Sequence, residues 1–330
     1  MIVQSPHELK MVKPSFFLQR LILTLPYKLR RMSIARALSR LSRSHGNHFL
    51  KFQSGYLAGH ISEGQIAHSL VSRYFEDYGF FNLANKLLLG GGIYFDVGAN
   101  FGFHSFGLEG FERPGYDFHM FEPNPVCCRC IRYSLDAYKL DGRYLVASAI
   151  GDAPSQAFLQ FNEGKNVQGW LATFSEGEIS KGYSVSVQTL DEYCSNKSIR
   201  RVNLLKMDIE GSEWHALCGA DNLFKSASVD FCYFEVNQIA LARRGVTLNS
   251  LFSFFLDKGY VLCWPHVNIN WIRPRLLPCS EMQTFSYTCE DKARLNFTKF
   301  EPNSLSCQND HQFDLLAVSP KMRLVHSSIQ

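Results

Sequence analysis

Four short apolar segments, each ending beside an acidic residue or a glycine, constrain the fold of this chain more than any other feature. They cover residues 93–97, 118–121, 202–207 and 230–236. Strands this apolar are buried on both faces, which is typical of a parallel sheet. Segments with helical periodicity separate them, and repeated strand–helix units predict a doubly wound α/β fold.

The segments around these four strands extend the same alternating pattern. Helices are predicted at 103–111, 125–140, 213–224 and 251–256, further strands at 144–150, 260–264 and 313–318, and a β-rich insertion at 157–161 and 184–189. Asn124 as N-cap and Pro125 at the first helical position mark the start of one helix. We assign residues 76–330 to one main domain, with residues 265–311 as an insertion of weak periodicity.

Basic residues concentrate at the N-terminal end of the chain. Residues 1–45 hold nine Lys and Arg and one acid, a charge of +8, whereas the whole chain carries +4. The remaining residues therefore sum to 4 − 8 = −4, and we expect no DNA partner. Apolar residues recur at helical spacing, so residues 1–75 are predicted to form a basic helical extension. Residues 14–45 either contact a membrane surface or pack on the main domain.

Composition excludes several other classes of protein. Hydrophobic residues make up 46% of the chain, which argues against disorder. No stretch reaches the ~18 apolar residues of a membrane-spanning helix, since Arg20 and Pro26 interrupt the longest candidate. The ten cysteines are scattered, as in a protein with reduced thiols. Together with the lack of a signal-peptide pattern, this predicts a cytoplasmic location.

Residues 94–102, YFDVGANFG, join a strand to a helix through a glycine turn. Glycine allows a ligand to approach the backbone closely, and the N-terminus of the following helix offers free N–H groups to an anion. The spacing of Gly98 and Gly102 matches neither the dinucleotide fingerprint nor a P-loop. Because Asp96 suits an ammonium group and the turn suits a carboxylate, the motif predicts a site for an amino acid moiety.

Two further strand ends carry acids. Glu122 lies 26 residues after Asp96, where an acid can accept both hydroxyls of a ribose. Asp208 follows the apolar strand 202–207, and such strand ends face the ligand crevice of an open α/β sheet. Helix capping accounts for Ser212 as N-cap and Glu213 in the first turn. Capping does not account for Asp208, which lies before the turn.

Four motifs in this order resemble the FkbM-type methyltransferases. They are DVGANFG at 96–102, FEPNP at 121–125, LDE at 190–192 and LKMDIEGSE at 205–213. Glu235 also ends the next strand, as the family pattern expects. The resemblance spans roughly residues 90–264 and the final strand near 313–319. It implies the seven-stranded sheet of class I methyltransferases, parallel except for one late strand.

The resemblance also implies S-adenosylmethionine as cofactor. Position by position, it places Gly98, Asn100 and Gly102 around the amino acid part of the cofactor, helped by Asp96, and Glu122 on the ribose hydroxyls. Ala149, Ile150 and Asp152, after the third strand, would lie beside the adenine. A turn-stabilising role is an equal alternative for Asp152.

The reaction implied is transfer of a methyl group to a hydroxyl on a glycan, glycolipid or natural product. Alignment of the reacting atoms is chiefly a proximity effect, and a general base removes the hydroxyl proton. Asp208 is the first candidate for that base and Glu210 the second. An alternative is a divalent metal ion held by Asp208, Glu235 and Asn237, which are hard oxygen ligands. Residues 265–311 are expected to cover the acceptor and exclude water.

Two alternative functions remain open from the sequence. An RNA 2′-hydroxyl methyltransferase would use the basic arm to bind phosphates. A non-catalytic scaffold would carry a degenerate cofactor pocket, although Asp96, Gly98, Gly102 and Glu122 are all intact. The acceptor, the metal dependence and the oligomeric state do not follow from the sequence.

Overall fold

The structure is a computed structural model. It describes residues 10–12, 48–51, 56–59, 78–108, 115–140, 144–161, 169–172, 182–265, 284–289, 293–302, 312–322 and 324–326. The strands are, in chain order, β1 (Lys10–Val12), β2 (His48–Lys51), β3 (Tyr56–Gly59), β4 (Gly92–Val97), β5 (Tyr116–Phe121), β6 (Leu145–Val146), β7 (Ala149–Ile150), β8 (Ser155–Phe161), β9 (Gly169–Ala172), β10 (Gly182–Gln188), β11 (Val202–Met207), β12 (Val229–Asn237), β13 (Val261–Trp264), β14 (Thr284–Cys289), β15 (Ala293–Lys299), β16 (Gln312–Val318) and β17 (Leu324–His326). The helices are α1 (Tyr78–Leu87), α2 (Phe103–Phe106), α3 (Pro125–Ala137), α4 (Leu190–Lys197), α5 (Glu213–Cys218), α6 (Asp221–Lys225), α7 (Gln238–Arg243) and α8 (Leu248–Leu256).

The largest sheet contains the seven strands that the sequence predicts, in the order β6-β5-β4-β11-β12-β16-β13. Strands β6 to β12 in this order pair in parallel, whereas β16 pairs antiparallel with both β12 and β13. Strands β15, β14 and β17 extend the sheet beyond β13 as antiparallel neighbours. The predicted doubly wound α/β class is confirmed, and the carboxyl ends of β4, β5, β11 and β12 share one edge.

Both faces of the central strands are buried, which explains their apolar sequences. Tyr94 and Leu204 point to one face, into a core that includes residues of α1 and α3. Phe95 and Leu205 point to the other face, into a core that includes residues of α5, α6 and α8. Fully burying each such side chain stabilises the fold by about 1.5–3 kcal/mol.

The predicted single strand at 144–150 is wrong, because the structure divides it between two sheets. Strand β6 pairs with β5 in the large sheet, and β7 pairs with β10 in a second sheet of order β7-β10-β8-β9. The division occurs at Ser148, whose N–H donates to the carbonyl of Val146 and whose hydroxyl donates to the carbonyl of Ser186. The β-rich insertion at 157–161 and 184–189 is confirmed as part of this second sheet.

The predicted helix at 213–224 is also divided, into α5 and α6. A Cβ on Gly219 would lie 2.0 Å from the carbonyl oxygen of Gly151, so the chain passes too close to the second sheet for a larger residue. Asp191, which lies on α4, caps the start of α6. Its carboxylate accepts the N–H groups of Asn222 and Leu223 at 2.9 and 3.0 Å. The LDE motif at 190–192 therefore contributes a structural cap.

The predictions for residues 1–75 and for the insertion 265–311 are tested only in part. Strands β1, β2 and β3 form a small separate sheet, with β2 central. The helical runs predicted between residues 18 and 38 lie outside the described residues, so the basic extension stays a prediction. Strands β14 and β15 lie within the insertion 265–311, whose role as a lid also stays a prediction. Over the ranges that the structure describes, no helix is long and apolar enough to cross a membrane.

Candidate active site

The glycine turn after β4 packs tightly against its neighbours. The N–H groups of Gly98 and Ala99 both donate to the carbonyl of Phe121, at 3.0 and 3.1 Å. Gly98 has a φ of +79°, and a Cβ there would lie 2.0 Å from the carbonyl oxygen of Asp208. Asn100 also has a positive φ, of 53°. The turn is therefore wedged between the ends of β5 and β11, and glycine is required where it meets Asp208.

Asp96 lies below this turn and is fully buried. Its Oδ2 accepts the hydroxyl of Ser105 at 2.8 Å, and its Oδ1 is 3.2 Å from the Nζ of Lys206. A buried charge requires such a partner. The carboxylate is consequently fixed in position at the end of β4, between the first turn of α2 and β11.

Glu122 is held at the end of β5 by two backbone amides. Its Oε2 accepts the N–H of Asn100 and its Oε1 the N–H of Asn124, both at 2.7 Å. Burial raises the pKa of Glu122 to about 7, although these two N–H groups oppose the shift. Because each carboxylate oxygen has two acceptor positions, each oxygen can accept one further hydrogen bond. Both hydroxyls of a ribose fit this requirement.

The residues after Glu122 fix its conformation through helix α3. Asn124 is the N-cap, with its side chain accepting the N–H of Val126, and Pro125 begins the helix, both as predicted. The thiol of Cys128 donates to the carbonyl of Glu122 at 3.0 Å. The FEPNP motif thus sets the backbone that orients the Glu122 carboxylate.

The three residues predicted beside the adenine differ in exposure. Ala149 and Ile150 are buried on β7, and Ile150 belongs to the hydrophobic core. Asp152 lies two residues further on and is exposed to solvent. Both the ligand contact and the turn role predicted for Asp152 stay predictions.

Asp208 follows β11, and its N–H donates to the carbonyl of Val97 at 3.1 Å. Its side chain is 34% exposed, and its Oδ2 is 3.6 Å from the Nζ of Lys206. Glu210 lies on the following turn with a φ of +55° and is exposed. Of the two predicted bases, Asp208 therefore lies beside the glycine turn and Glu210 lies in solvent.

Glu213 begins α5 but is buried completely. Its Oε1 accepts the N–H of Ile209 at 2.9 Å, while its Oε2 has no hydrogen-bond partner within the described ranges. Burial raises the pKa of Glu213 to about 7, and Asp208 and Glu210 add to the shift. Ser212 precedes the helix as predicted, yet its hydroxyl makes no capping hydrogen bond. Capping alone does not account for Glu213.

Glu235 extends the same edge on β12. It pairs in register with Asp314 of β16, and it accepts a hydrogen bond from the side chain of Gln312. Its Oε2 is buried without a hydrogen-bond partner among the residues that the structure describes. Burial raises the pKa of Glu235 to about 9, with Asp208 as the next contributor. The neighbouring Asp314 accepts the hydroxyl of Tyr233 at 2.8 Å.

Comparison with known proteins agrees with this arrangement. The model of the methyltransferase FkbM domain family matches residues 96–262, which include the end of β4, all of β5, β11 and β12, and the turns that follow these four strands. The chain belongs to the FkbM methyltransferase domain family. The resemblance drawn from the four motifs is confirmed.

Individual relatives are more distant. The 31-O-demethyl-FK506 methyltransferase FkbM of Streptomyces tacrolimicus is 23% identical over 199 residues, which cover 52% of this chain and 75% of that protein. A crystal structure of methyltransferase FkbM from Methylobacillus flagellatus KT is 16% identical, with a TM-score of 0.38, and the match covers 71% of this chain and 55% of that one. A precorrin-6y C5,15-methyltransferase from Geobacter metallireducens GS-15 is 11% identical over 74% of this chain and 89% of that one, with a TM-score of 0.31.

Two residues of the alternative metal site make other contacts in the structure. Asn237 caps helix α7, since its Oδ1 accepts the N–H of Ala240 at 3.0 Å. Asp208 lies beside the ammonium of Lys206. Within the described ranges, no group of three His, Cys, Asp or Glu residues is placed to hold a metal ion. A metal ion held by Asp208, Glu235 and Asn237 stays an alternative prediction from the sequence.

Sequence reasoning missed two residues of this FkbM site. Lys206 is the one charged residue within β11, and a charge in a strand buried on both faces needs a partner. The sequence therefore indicated that Lys206 has a partner, but it did not show which residues contact Lys206. Glu213 gave no comparable signal, because an acid in the first turn of a helix is ordinary.

Proposed function

We propose that this chain is an S-adenosylmethionine-dependent methyltransferase that methylates a hydroxyl group on a glycan, glycolipid or natural product. The observation that carries the proposal is the anchoring of Glu122 by Asn100 and Asn124, directly beside the Gly98 turn. An acid at this strand end is suited to ribose hydroxyls. The turn and the N-terminus of α2 are suited to the amino acid part.

When bound, S-adenosylmethionine supplies an electrophilic methyl group on a sulfonium centre. Gly98, Asn100 and Gly102 would surround its amino acid part, with Asp96 fixed beneath them by Ser105 and Lys206. Glu122 would hold the ribose, and Ala149 and Ile150 would border the adenine. Each of these residues would orient the donor, and orientation is the main contribution that a methyl transfer requires.

Asp208 is the group that we propose to accept the hydroxyl proton. It lies at the end of β11 and is partly exposed, so an acceptor can reach it. Burial and the neighbouring Asp208 raise the pKa of Glu235, which favours its neutral form beside that base. Glu210 is exposed on its turn, which supports Asp208 as the first choice.

The acceptor would lie over the ends of β11 and β12. Beyond Glu235 the chain enters α7, and Gln238, Ile239, Ala242 and Arg243 line a shallow cavity there. The side chain of Ile239 is 47% exposed, which gives this surface an apolar element. The relative from Streptomyces tacrolimicus is named for methylation of an oxygen, which supports a hydroxyl acceptor. The accessible carboxylates of Asp208 and Glu210 argue against a polyanion such as RNA, because like charges repel.

Calorimetric titration of S-adenosylhomocysteine tests the cofactor. We expect micromolar binding to the wild type and loss of binding in Glu122→Ala, with unchanged thermal unfolding as the control for folding. A panel of glycosides and polyketides with a labelled methyl donor then tests the acceptor, and Asp208→Asn should bind the cofactor but lose turnover. A folded wild type that binds no S-adenosylhomocysteine would overturn the proposal in favour of a scaffold.

A further inference from the structure

The side chain of Lys206 contacts both the cofactor side and the acceptor side of the candidate site. Its side chain is 3% exposed, at the end of the central strand β11. The Nζ atom is 3.2 Å from Oδ1 of Asp96, 3.5 Å from the carbonyl oxygen of Gly98 and 3.6 Å from Oδ2 of Asp208. Three different segments therefore share a single ammonium group.

These partners belong to different parts of the proposed reaction. Asp96 and Gly98 form the floor and the turn of the cofactor side, whereas Asp208 belongs to the acceptor side. The charge of Lys206 also favours the ionised form of Glu122 at the ribose position, opposing the effect of Asp96. Buried charges are little screened by salt, so a change at one partner is felt by the others.

We propose that Lys206 is a positioning residue that couples the acceptor-side carboxylate of Asp208 to the cofactor turn. This inference rests on the proposed function. With Asp208 in place, the ammonium is shared between two carboxylates and the carbonyl of Gly98. Without it, the contacts of the ammonium with Asp96 and Gly98 remain, both on the cofactor side. Asp208 thereby determines cofactor affinity through Lys206.

The coupling can be detected by comparing the binding of two ligands that differ in charge. S-adenosylmethionine carries a sulfonium charge that S-adenosylhomocysteine lacks. Removing the negative charge of Asp208 leaves the site more positive, which weakens binding of the charged methyl donor more than binding of the neutral product. Removing the positive charge of Lys206 shifts the ratio of the two dissociation constants in the opposite direction. A residue with a purely structural role would leave this ratio unchanged.

A double-mutant cycle measures the coupling without any acceptor. Dissociation constants for S-adenosylmethionine and S-adenosylhomocysteine are measured by calorimetry for the wild type, Asp208→Asn, Lys206→Met and the double variant. We expect Asp208→Asn to weaken S-adenosylhomocysteine binding about fivefold when Lys206 is present, a typical coupling between sites. In the Lys206→Met background the same change should have less than about a twofold effect. Glu192→Gln, at an exposed position on α4, is the matched control and should change neither ligand.

Folding is controlled separately, because Lys206→Met leaves Asp96 buried without its cation. If that variant unfolds, the cycle is measured in an Asp96→Asn/Lys206→Met background, where both charges are absent. Equal effects of Asp208→Asn in the two backgrounds, or a ratio that does not move, would overturn the inference while cofactor binding stands. Failure of the wild type to bind either ligand would instead overturn the proposed function, and the inference with it.

Discussion

The two halves of the candidate site hold their acidic side chains differently, although Nδ2 of Asn124 on the cofactor half also has no hydrogen-bond partner within the described ranges. On the cofactor half, both oxygens of Glu122 accept backbone N–H groups, and Asp96 has Ser105 and Lys206. On the acceptor half, Glu213 and Glu235 each keep one buried carboxylate oxygen without a hydrogen-bond partner within the described ranges. The protein thus fixes the cofactor half in advance, whereas the acceptor half carries carboxyl groups whose charge state responds to their surroundings.

The difference has a physical origin in the chain. The contacts of Glu122 on the cofactor half come from the short turns after β4 and β5, so they are close in sequence, whereas Lys206 contacts Asp96 from β11, 110 residues further along. The acceptor half needs α5, β12 and β16, and Glu235 pairs with Asp314 from 79 residues further along. Long-range placement buries acids that the local sequence does not mark as buried.

The largest expected effect comes from Gly98→Ala, because Gly98 lies where the cofactor half and the acceptor half touch. A Cβ at φ +79° and 2.0 Å from the carbonyl of Asp208 requires the backbone to move. We expect loss of S-adenosylhomocysteine binding and a decrease of about 2–4 kcal/mol in the free energy of unfolding. Gly245→Ala is the matched control, since Gly245 has a φ of +71° with nothing within 4 Å. Normal binding by Gly98→Ala would show that the two turns move independently.

The next largest effect concerns the acceptor half and pH. The pKa of Glu213 is about 7 in the folded protein, above its ordinary value of 4.5. Its contribution to stability is therefore fully present below pH 4.5 and is lost as pH rises through 7. Glu213→Gln stays neutral, so the wild type should lose roughly 2 kcal/mol relative to this variant between pH 5 and pH 8. Urea unfolding at both pH values measures the difference, and parallel curves would contradict it.

A smaller effect is expected from Glu122→Gln on the cofactor half. An amide offers one acceptor oxygen where the carboxylate offers two, so one of the N–H groups of Asn100 and Asn124 loses its partner. We expect about tenfold weaker binding of S-adenosylhomocysteine. Because Glu122 has a pKa of about 7 and hydroxyl donors favour its ionised form, wild-type affinity should rise from pH 6 to pH 8. Calorimetry of the variant should show no such rise; an identical pH dependence would exclude Glu122 as its cause.

The smallest expected effect tests whether Asp152 belongs to the cofactor half. Asp152 is exposed, so a contact with the adenine would be screened by solvent. We expect Asp152→Ala to weaken S-adenosylhomocysteine binding about threefold, as measured by calorimetry beside Glu192→Gln. Affinity equal to that of the wild type would assign Asp152 to the turn alone.

Most of the central fold followed from the sequence because its strands are apolar on both faces. The strand at 144–150 was predicted as continuous since its residues are uniformly strand-like, and the contacts of Ser148 that divide it come from β10. The helix at 213–224 was predicted as continuous. It is divided because Gly219 passes close to Gly151 beside the second sheet, a contact that the local sequence does not show. Strands β14 and β15 had too weak a pattern to be predicted.

The candidate site followed from the sequence to the extent that its residues end adjacent strands. Asp96, Gly98, Glu122 and Asp208 do come together at one edge of the sheet, as parallel strands require. The partners of Lys206 depend on the pairing of β11 with β4, which places Lys206 in register with Asp96. The burial of Glu213 depends on segments that close over the strand ends, and neither could be predicted from the local sequence. Asn237 was an alternative metal ligand by its residue type, and in the structure its side chain also caps α7.

Strand β16 has a consequence for how the chain reaches its native state. It is the last strand of the seven, yet it inserts between β12 and β13, which are made earlier. Such a non-local pairing forms slowly compared with local contacts, and Gln312 and Asp314 arrive with it. During synthesis, the segments that surround the cofactor half emerge first and can fold together. The neighbours of Glu235 are in place only after β16 has entered the sheet, so the acceptor half is the last part of the site to be completed.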